Sequence, residues 1–312
     1  MCTATCGVPQ GSILGPLLFI LYINDLTNVS SFLKYVLFAD DTNLFASGKD
    51  MNTLCRMINA ELDLLKTWFS INKLSLNLSK TNYMIFSNKN RVRNNINLNM
   101  DNTEIERVTV TKFLGVLVDE NLNWKQHIIH VRNKLSKCSA IIYKASRILQ
   151  SSTLVTLYNT LFLPYISYCA EIWGNACQSN LQKIIVAQKR IIRVVAKVNR
   201  LDHTNDLFTK YSILKFVDLV RLKVALIVHK AKFKTLPPTL QIKFNLNSDV
   251  VKPTLRSAGH FKITYVRTSL KQRCISIRGV SIYNSLPLNV KSAVNMNIFK
   301  KRFKRTAFDS YV

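Results

Sequence analysis

Acidic side chains are scarce in this chain, and beyond residue 120 they nearly vanish. Of 312 residues, 44 are Lys or Arg and only 17 are Asp or Glu, a net charge of +27. Residues 1–120 hold 11 of each sign, whereas residues 121–312 hold 33 basic and 6 acidic side chains. Between Asn121 and Ala170 there is no acid at all. Solubility does not call for charge so one-sided. Such a field attracts polyanions: RNA, DNA or an anionic membrane surface. Long apolar runs are missing too. Leu17–Ile23 is too short to span a bilayer, which takes about 20 residues, and no basic residue precedes it as in a signal peptide. Glycine and proline are few, 8 and 7. With no Gly-, Ser- or Gln-rich tract and no internal repeat, wholesale disorder is excluded. The seven cysteines are scattered and odd in number. Cys2 and Cys6 lie close together, as do Cys169 and Cys177, but neither couple meets a second Cys/His doublet, which argues against a zinc knuckle. They read as reduced, intracellular thiols that mostly fill core.

What is present divides into two textures. GVPQGSILGP, residues 7–16, is turn chemistry leading into a helix that starts between Ser12 and Pro16 and ends near Asn24. Because this helix is apolar almost all round, it is expected to be buried. Tyr35–Phe38 and Asn43–Ala46 read as strands of a tight hairpin with the acids of ADDT at its tip. Leu54, Ile58, Leu62, Leu65 and Phe69 mark a helix from about Asn52 to Ser70. Leu74, Leu76 and Leu78 alternate as in a strand. Tyr83–Phe86, Val108–Val110 and Phe113–Val118 read as further strands, and the Asn-rich 89–102 as a loop. The first 120 residues are therefore α+β. After Asn121 the period becomes helical. Trp124, Ile128, Val131, Leu135, Cys138, Ile142 and Leu149 form one face of a long helix whose other faces carry Lys125, Arg132, Lys134, Lys137, Lys144 and Arg147. A second helix covers about Ser152–Leu163 and stops at Pro164. A third starts with Ser179 as its N-cap, and a fourth covers about Leu214–Lys234. The tail mixes β-like runs such as FKITYV with a short basic helix containing KKRFKR.

Two adjacent acids, Asp40 and Asp41, repel each other unless water, a base or a metal offsets their charge. A carboxylate pair on a rigid hairpin can hold Mg²⁺, which favours oxygen ligands and keeps several waters. Two such ions can clamp the attacking and leaving oxygens of a phosphoryl transfer. The competing reading is a solvated turn. Because neighbouring strand residues point to opposite faces, Asp40, which follows the apolar strand, is the firmer candidate.

GVPQGSILGPLLFILYINDL followed by KYVLFADDTNLFA resembles two signature blocks of reverse transcriptases from non-LTR (LINE-type, jockey-like) retrotransposons. NKLSLNLSKTNYMIF and TKFLGVLVDENLNW resemble the next two blocks, and LYNTLFLPYISYCAEIWGN and IYNSLP the C-terminal part of the same reading frames. The resemblance implies a partial polymerase palm (short antiparallel strands with packing helices) over residues 1–120. A mostly helical, basic, thumb-like region follows over 121–236, and a small basic extension over 237–312. It implies an RNA-directed DNA polymerase working on an RNA template, a DNA primer and dNTPs with a two-metal Mg²⁺ site. Asp40 and Asp41 would be the catalytic, metal-holding carboxylates, and Lys80 would approach the triphosphate. Gln10, Gly11 and Ser12 would lie beside the template base and nucleotide, and Phe113, Leu114 and Gly115 would hold the primer. Each also has a plain reading: a helix-start turn for the first group, an exposed lysine, a buried strand. A palm of this kind takes a further Asp from a strand ahead of GVPQG, and only six residues precede Gly7. The expectation is thus the rear part of a polymerase, N-terminally truncated, that binds nucleic acid but is inactive alone. The alternatives are a catalytically dead nucleic-acid-binding relic and, more weakly, a peripheral membrane protein. KKRFKR would suit nuclear import of an intracellular, non-secreted protein.

Overall fold

The computed structural model describes residues 8, 9, 11–87, 96–246 and 260–311. They gather into two compact units, 1–109 and 110–312. In the first, helix α1 (Gly15–Ile23) runs into a 3₁₀ turn, Asn24–Asn28. The strands β1 (Lys34–Phe38) and β2 (Asp41–Phe45) pair antiparallel. Asp50 then caps the long helix α2 (Met51–Ile71) by accepting from the Thr53 N–H at 2.7 Å. Four two-residue strands follow: β3 (Asn82–Tyr83), β4 (Asn99–Met100), β5 (Thr103–Glu104) and β6 (Glu106–Arg107). β3 pairs parallel with β6, and β4 antiparallel with β5. The core of this unit is Leu26, Leu33, Leu62, Leu65, Phe69 and Met100, with Tyr35, Leu37 and Leu44 from the inner face of the hairpin packed against it.

Several expectations fail here. Helix α1 is not buried: only Ile23 is, while Leu17, Leu18, Ile20, Leu21 and Tyr22 are exposed. An all-apolar helix has no polar face to say which side meets the core, and this unit covers only its C-terminal end. The Leu74–Leu78 alternation is not a strand. Its end becomes a 3₁₀ turn, Leu78–Lys80, because Asn77 folds back, its carbonyl accepting from the Lys80 and Thr81 N–H groups. The Tyr83–Phe86 strand shrinks to β3. In the loop expected over 89–102, residues 89–95 lie outside the described residues and β4 occupies its end.

The second unit opens with the hairpin β7 (Val110–Phe113) and β8 (Val116–Asp119), paired antiparallel. Its helices are α3 (Lys125–Ala145), α4 (Ser151–Leu157), α5 (Leu163–Ser167), α6 (Ala170–Trp173), α7 (Gln178–Ala196), α8 (Asn205–Lys210) and α9 (Phe216–Lys232). The short α10 (Pro238–Gln241), α11 (Ser269–Gln272), α12 (Val280–Asn284) and α13 (Leu288–Lys291) lead to α14 (Met296–Asp309). The chain does not stop at Pro164. A π-helical turn, Tyr158–Phe162, widens the helix between α4 and α5, and the proline sits in the first turn of α5, where its missing N–H is least costly. Ser179 is not the N-cap of α7. The helix begins one residue earlier, after Cys177, and the Ser179 hydroxyl donates to Cys177 Sγ instead. FKITYV forms no strand, only a single bridge between Phe261 and Leu246.

One large core unites this unit, centred on Trp173, Tyr158, Phe162, Ile184, Phe216, Val224 and Phe299. Gln188, 1 % exposed, is its polar keystone. Its Nε2 donates to Tyr158 Oη and to the Leu214 carbonyl, both at 2.9 Å, and its Oε1 accepts from the Phe216 N–H at 2.7 Å. Tyr311 ties the chain's end to the start of α9 by donating to Asp218 at 2.7 Å. Of the described cysteines, all free, Cys138 is buried and Cys55 and Cys169 pack part-buried against the two cores, while Cys177 and Cys274 are exposed. No described helix is long and apolar enough to cross a membrane.

Candidate nucleic-acid and metal site

The β1–β2 hairpin turns in two residues. Phe38 pairs with Asp41, leaving Ala39 and Asp40 as the loop, with Ala39 at φ +49°. Opposed residues share a face, so the pairs Tyr35–Leu44 and Leu37–Thr42 form the inner face. Val36, Phe38, Asp41 and Phe45 form the outer one. Asp40 and Asp41 are both exposed, and among the described residues neither forms an ion pair. Two exposed, adjacent carboxylates at a rigid tip suit Mg²⁺, which is ordinarily held by one or two carboxylates, retained waters and substrate phosphates. Among the described residues no cluster of three or more His, Cys, Asp or Glu gathers as an all-protein metal cage.

The other sequence candidates fall at separate places. Gln10 lies outside the described residues. Gly11 has φ +87° with open space where a side chain would stand. Ser12 accepts from the Gly15 N–H at 3.1 Å and so fastens the first turn of α1. Lys80 is exposed at the end of its 3₁₀ turn. Phe113, Leu114 and Gly115 belong to the second unit, at the β7–β8 turn. Leu114 and Gly115 carry φ +44° and +82°, the two positive values of a type I′ hairpin turn.

Three further residues fix this hairpin and the corner that follows it. Tyr168 donates to the Leu114 carbonyl at 2.6 Å, and its ring lies 3.5 Å from where a Gly115 side chain would begin. Asp119, 5 % exposed, accepts the backbone N–H groups of Asn121, Asn123 and Trp124 at 2.8–3.1 Å and sets the corner before α3. His127, buried on α3, accepts the Leu117 N–H at Nδ1, 3.2 Å away, and sets its ring edge-on to Trp173. Burial, and secondarily the neighbouring His130, push its pKa down to about 4. It is therefore neutral at pH 7, with its proton on Nε2. The Asx-type turn before a helical run was legible around Asp119. Tyr168 stands in the quoted LYNTLFLPYISYCAEIWGN block with no role of its own there, and nothing in the sequence marks His127.

Helices α3 and α7 supply the cationic face. Their apolar stripes are buried, including Ile128, Leu135 and Ile142 on α3 and Ile184, Ile191 and Val195 on α7. Lys125, Arg132, Lys137, Lys144, Lys183, Lys189 and Arg190 stay exposed. Of Tyr143, Tyr158, Tyr165 and Tyr168, which could stack on a base if exposed, Tyr158 is fully buried. Tyr143, Tyr165 and Tyr168 are 54 %, 41 % and 52 % exposed.

Residues 2–118 match the reverse transcriptase (RNA-dependent DNA polymerase) family. That stretch spans every sequence-nominated site residue. The chain is 30% identical over 196 residues to the probable RNA-directed DNA polymerase from transposon X-element of Drosophila melanogaster, covering 61% of this chain and 21% of that protein. It is 24% identical over 223 residues to the RNA-directed DNA polymerase from mobile element jockey of the same fly, covering 68% and 24%. A Pol polyprotein from the type-1 retrotransposable element R1 2 of Nasonia vitripennis is 30% identical over 215 residues, covering 61% and 51%. The chain thus spans between about a fifth and a half of the length of these relatives. No solved structure matches it.

Proposed function

Since residues 2–118 of this chain match the reverse transcriptase family and its relatives are named as RNA-directed DNA polymerases of transposons and mobile elements, we propose that it takes part in RNA-directed DNA synthesis as in non-LTR retrotransposons, with Asp40 and Asp41 as the carboxylates at the reacting centre. The observation that carries this reading is the two-residue hairpin turn, inside the matched segment, that presents both acids bare to solvent. Bound there, Mg²⁺ would supply positive charge for the triphosphate and the attacking primer hydroxyl. Asp40 and Asp41 hold charge at a fixed position. The free backbone at Gly11 admits close approach of a base or sugar. The Lys80 ammonium, exposed and flexible, offers a counter-charge to the leaving phosphates. The first unit with the β7–β8 turn reads as palm, with the turn clasped by Tyr168 as a primer rest. The helices over 121–236 read as thumb and residues 237–312 as an extension. The cationic faces of α3 and α7 favour a strand of RNA or DNA as what the thumb holds.

Primer extension tests this reading. The longest in-frame product containing this chain is given an RNA template, a DNA primer, dNTPs and Mg²⁺. The expected outcome is template-dependent extension that disappears with Asp40→Asn. Retained RNA binding with no extension in any metal would instead favour the nucleic-acid-binding relic, which the same basic helices support.

A further inference from the structure

Helices α3 and α7 pack side by side and leave between them an open groove of about 720 Å³. Its rim carries three guanidinium or ammonium groups, Arg132, Lys183 and Arg190, and the hydrogen-bonding side chains of Ser136 and Gln182. Neither helix contains a single Asp or Glu. Among the described residues none of the three cations has a carboxylate partner. Tyr143 also lines it, with 54 % of its surface free, and the Arg147 guanidinium lies 5.6 Å from the ring centroid. An aromatic face backed by a guanidinium, beside a track of unpaired cations and neutral donors, is the combination that binds single-stranded nucleic acid. Bases stack on the ring and phosphates follow the charge. A duplex cannot offer a base face, since its bases are stacked on each other, and its recognition ordinarily buries about 1,000 Å² or more. The groove, whose volume is that of a small-molecule cleft, takes a short stretch of single strand.

The geometry points to this groove as a binding site for single-stranded RNA or DNA, with one base on Tyr143 and the flanking phosphates on Arg132, Lys183 and Arg190. This deepens the nucleic-acid part of the reading above. It does not depend on catalysis, because the test needs neither Mg²⁺ nor dNTPs.

The measurement is anisotropy of a fluorescein-labelled 12-nucleotide RNA with the full chain across a range of salt concentrations. Arg132→Gln/Lys183→Gln/Arg190→Gln is compared with a control of equal charge change, Lys230→Gln/Lys262→Gln/Lys304→Gln, at three exposed lysines of the same unit outside the groove. Each lost phosphate contact should lower the log–log salt slope for a single strand by about 0.7, so the groove triple should lower it by about 2, and the control by clearly less. Tyr143→Ser should weaken single-strand binding on the order of tenfold and Tyr143→Phe should restore it, with duplex binding unchanged by either. Asp40→Asn should leave all of this intact, which separates failure here from failure of the polymerase reading. Equal effects of the two triples, loss of an acidic polypeptide's binding on Tyr143→Ser to the same degree, or an indifferent Tyr143→Ser variant whose melting curve matches the parent's would overturn the assignment.

Discussion

His127 makes the second unit sensitive to acid. Its Nδ1 accepts the Leu117 N–H, an arrangement that a protonated ring cannot keep, since both nitrogens then donate. The folded pKa is pushed down to about 4 from the ordinary 6.5. Between these values the unfolded chain binds the proton and the folded one resists it, so stability rises with pH. The contribution is fully present above about pH 6.5 and is lost as pH falls towards 4. By proton linkage the loss at pH 5 relative to pH 7 is about 2 kcal/mol, approaching roughly 3 kcal/mol by pH 4. His229 adds a similar loss: burial, then Lys232, push it down to about 4 as well. Urea unfolding at pH 7 and pH 5 measures the sum. His127→Gln, which keeps an acceptor but cannot titrate, should remove about half of the pH-dependent loss while costing some stability at pH 7. A stability equal at the two pH values, or a His127→Gln chain with the parent's full dependence, would refute the reasoning.

Other outcomes follow from the packing. Gln188→Leu should cost roughly 3–6 kcal/mol in urea unfolding, because it strands the Leu214 carbonyl, the Phe216 N–H and Tyr158 Oη in the core. Tyr168→Phe removes one hydrogen bond to Leu114. It should cost about 1 kcal/mol and speed amide exchange in β7 and β8 more than in α9. Leu17→Gln/Leu21→Gln should change stability by less than about 1 kcal/mol, since both side chains are exposed. A larger loss would mean that α1 is covered in solution.

The elements with a polar face were legible. On α2, α3, α7 and α9 an apolar stripe alternates with charge, so the pattern itself says which side is buried, and their bounds fall within a few residues of the expected ones. The β1–β2 hairpin was legible because two short apolar runs flank a polar turn, though the turn proved tighter than ADDT suggests. Helix α1 departs from expectation for the converse reason: uniform hydrophobicity carries no direction. Leu74–Leu78 shows a period-two pattern overridden by Asn77. Of the candidate site, the acids could be read from local signals, whereas Phe113–Val118, expected as one strand, is broken by the turn at Leu114 and Gly115. The clasp of Tyr168 and His127 depends on contacts across 54 and 10 residues that no local pattern encodes.

The central claim is that Asp40 places negative charge where nucleotide addition occurs. The most direct measurement is the rate of a single dNTP addition to a primer annealed to RNA, by the longest in-frame product containing this chain and by its Asp40→Asn variant, with RNA affinity measured on the same samples. The account predicts a rate lower by on the order of a hundredfold or more and an affinity unchanged. An Asp40→Asn variant that adds nucleotides as fast as the parent would contradict it.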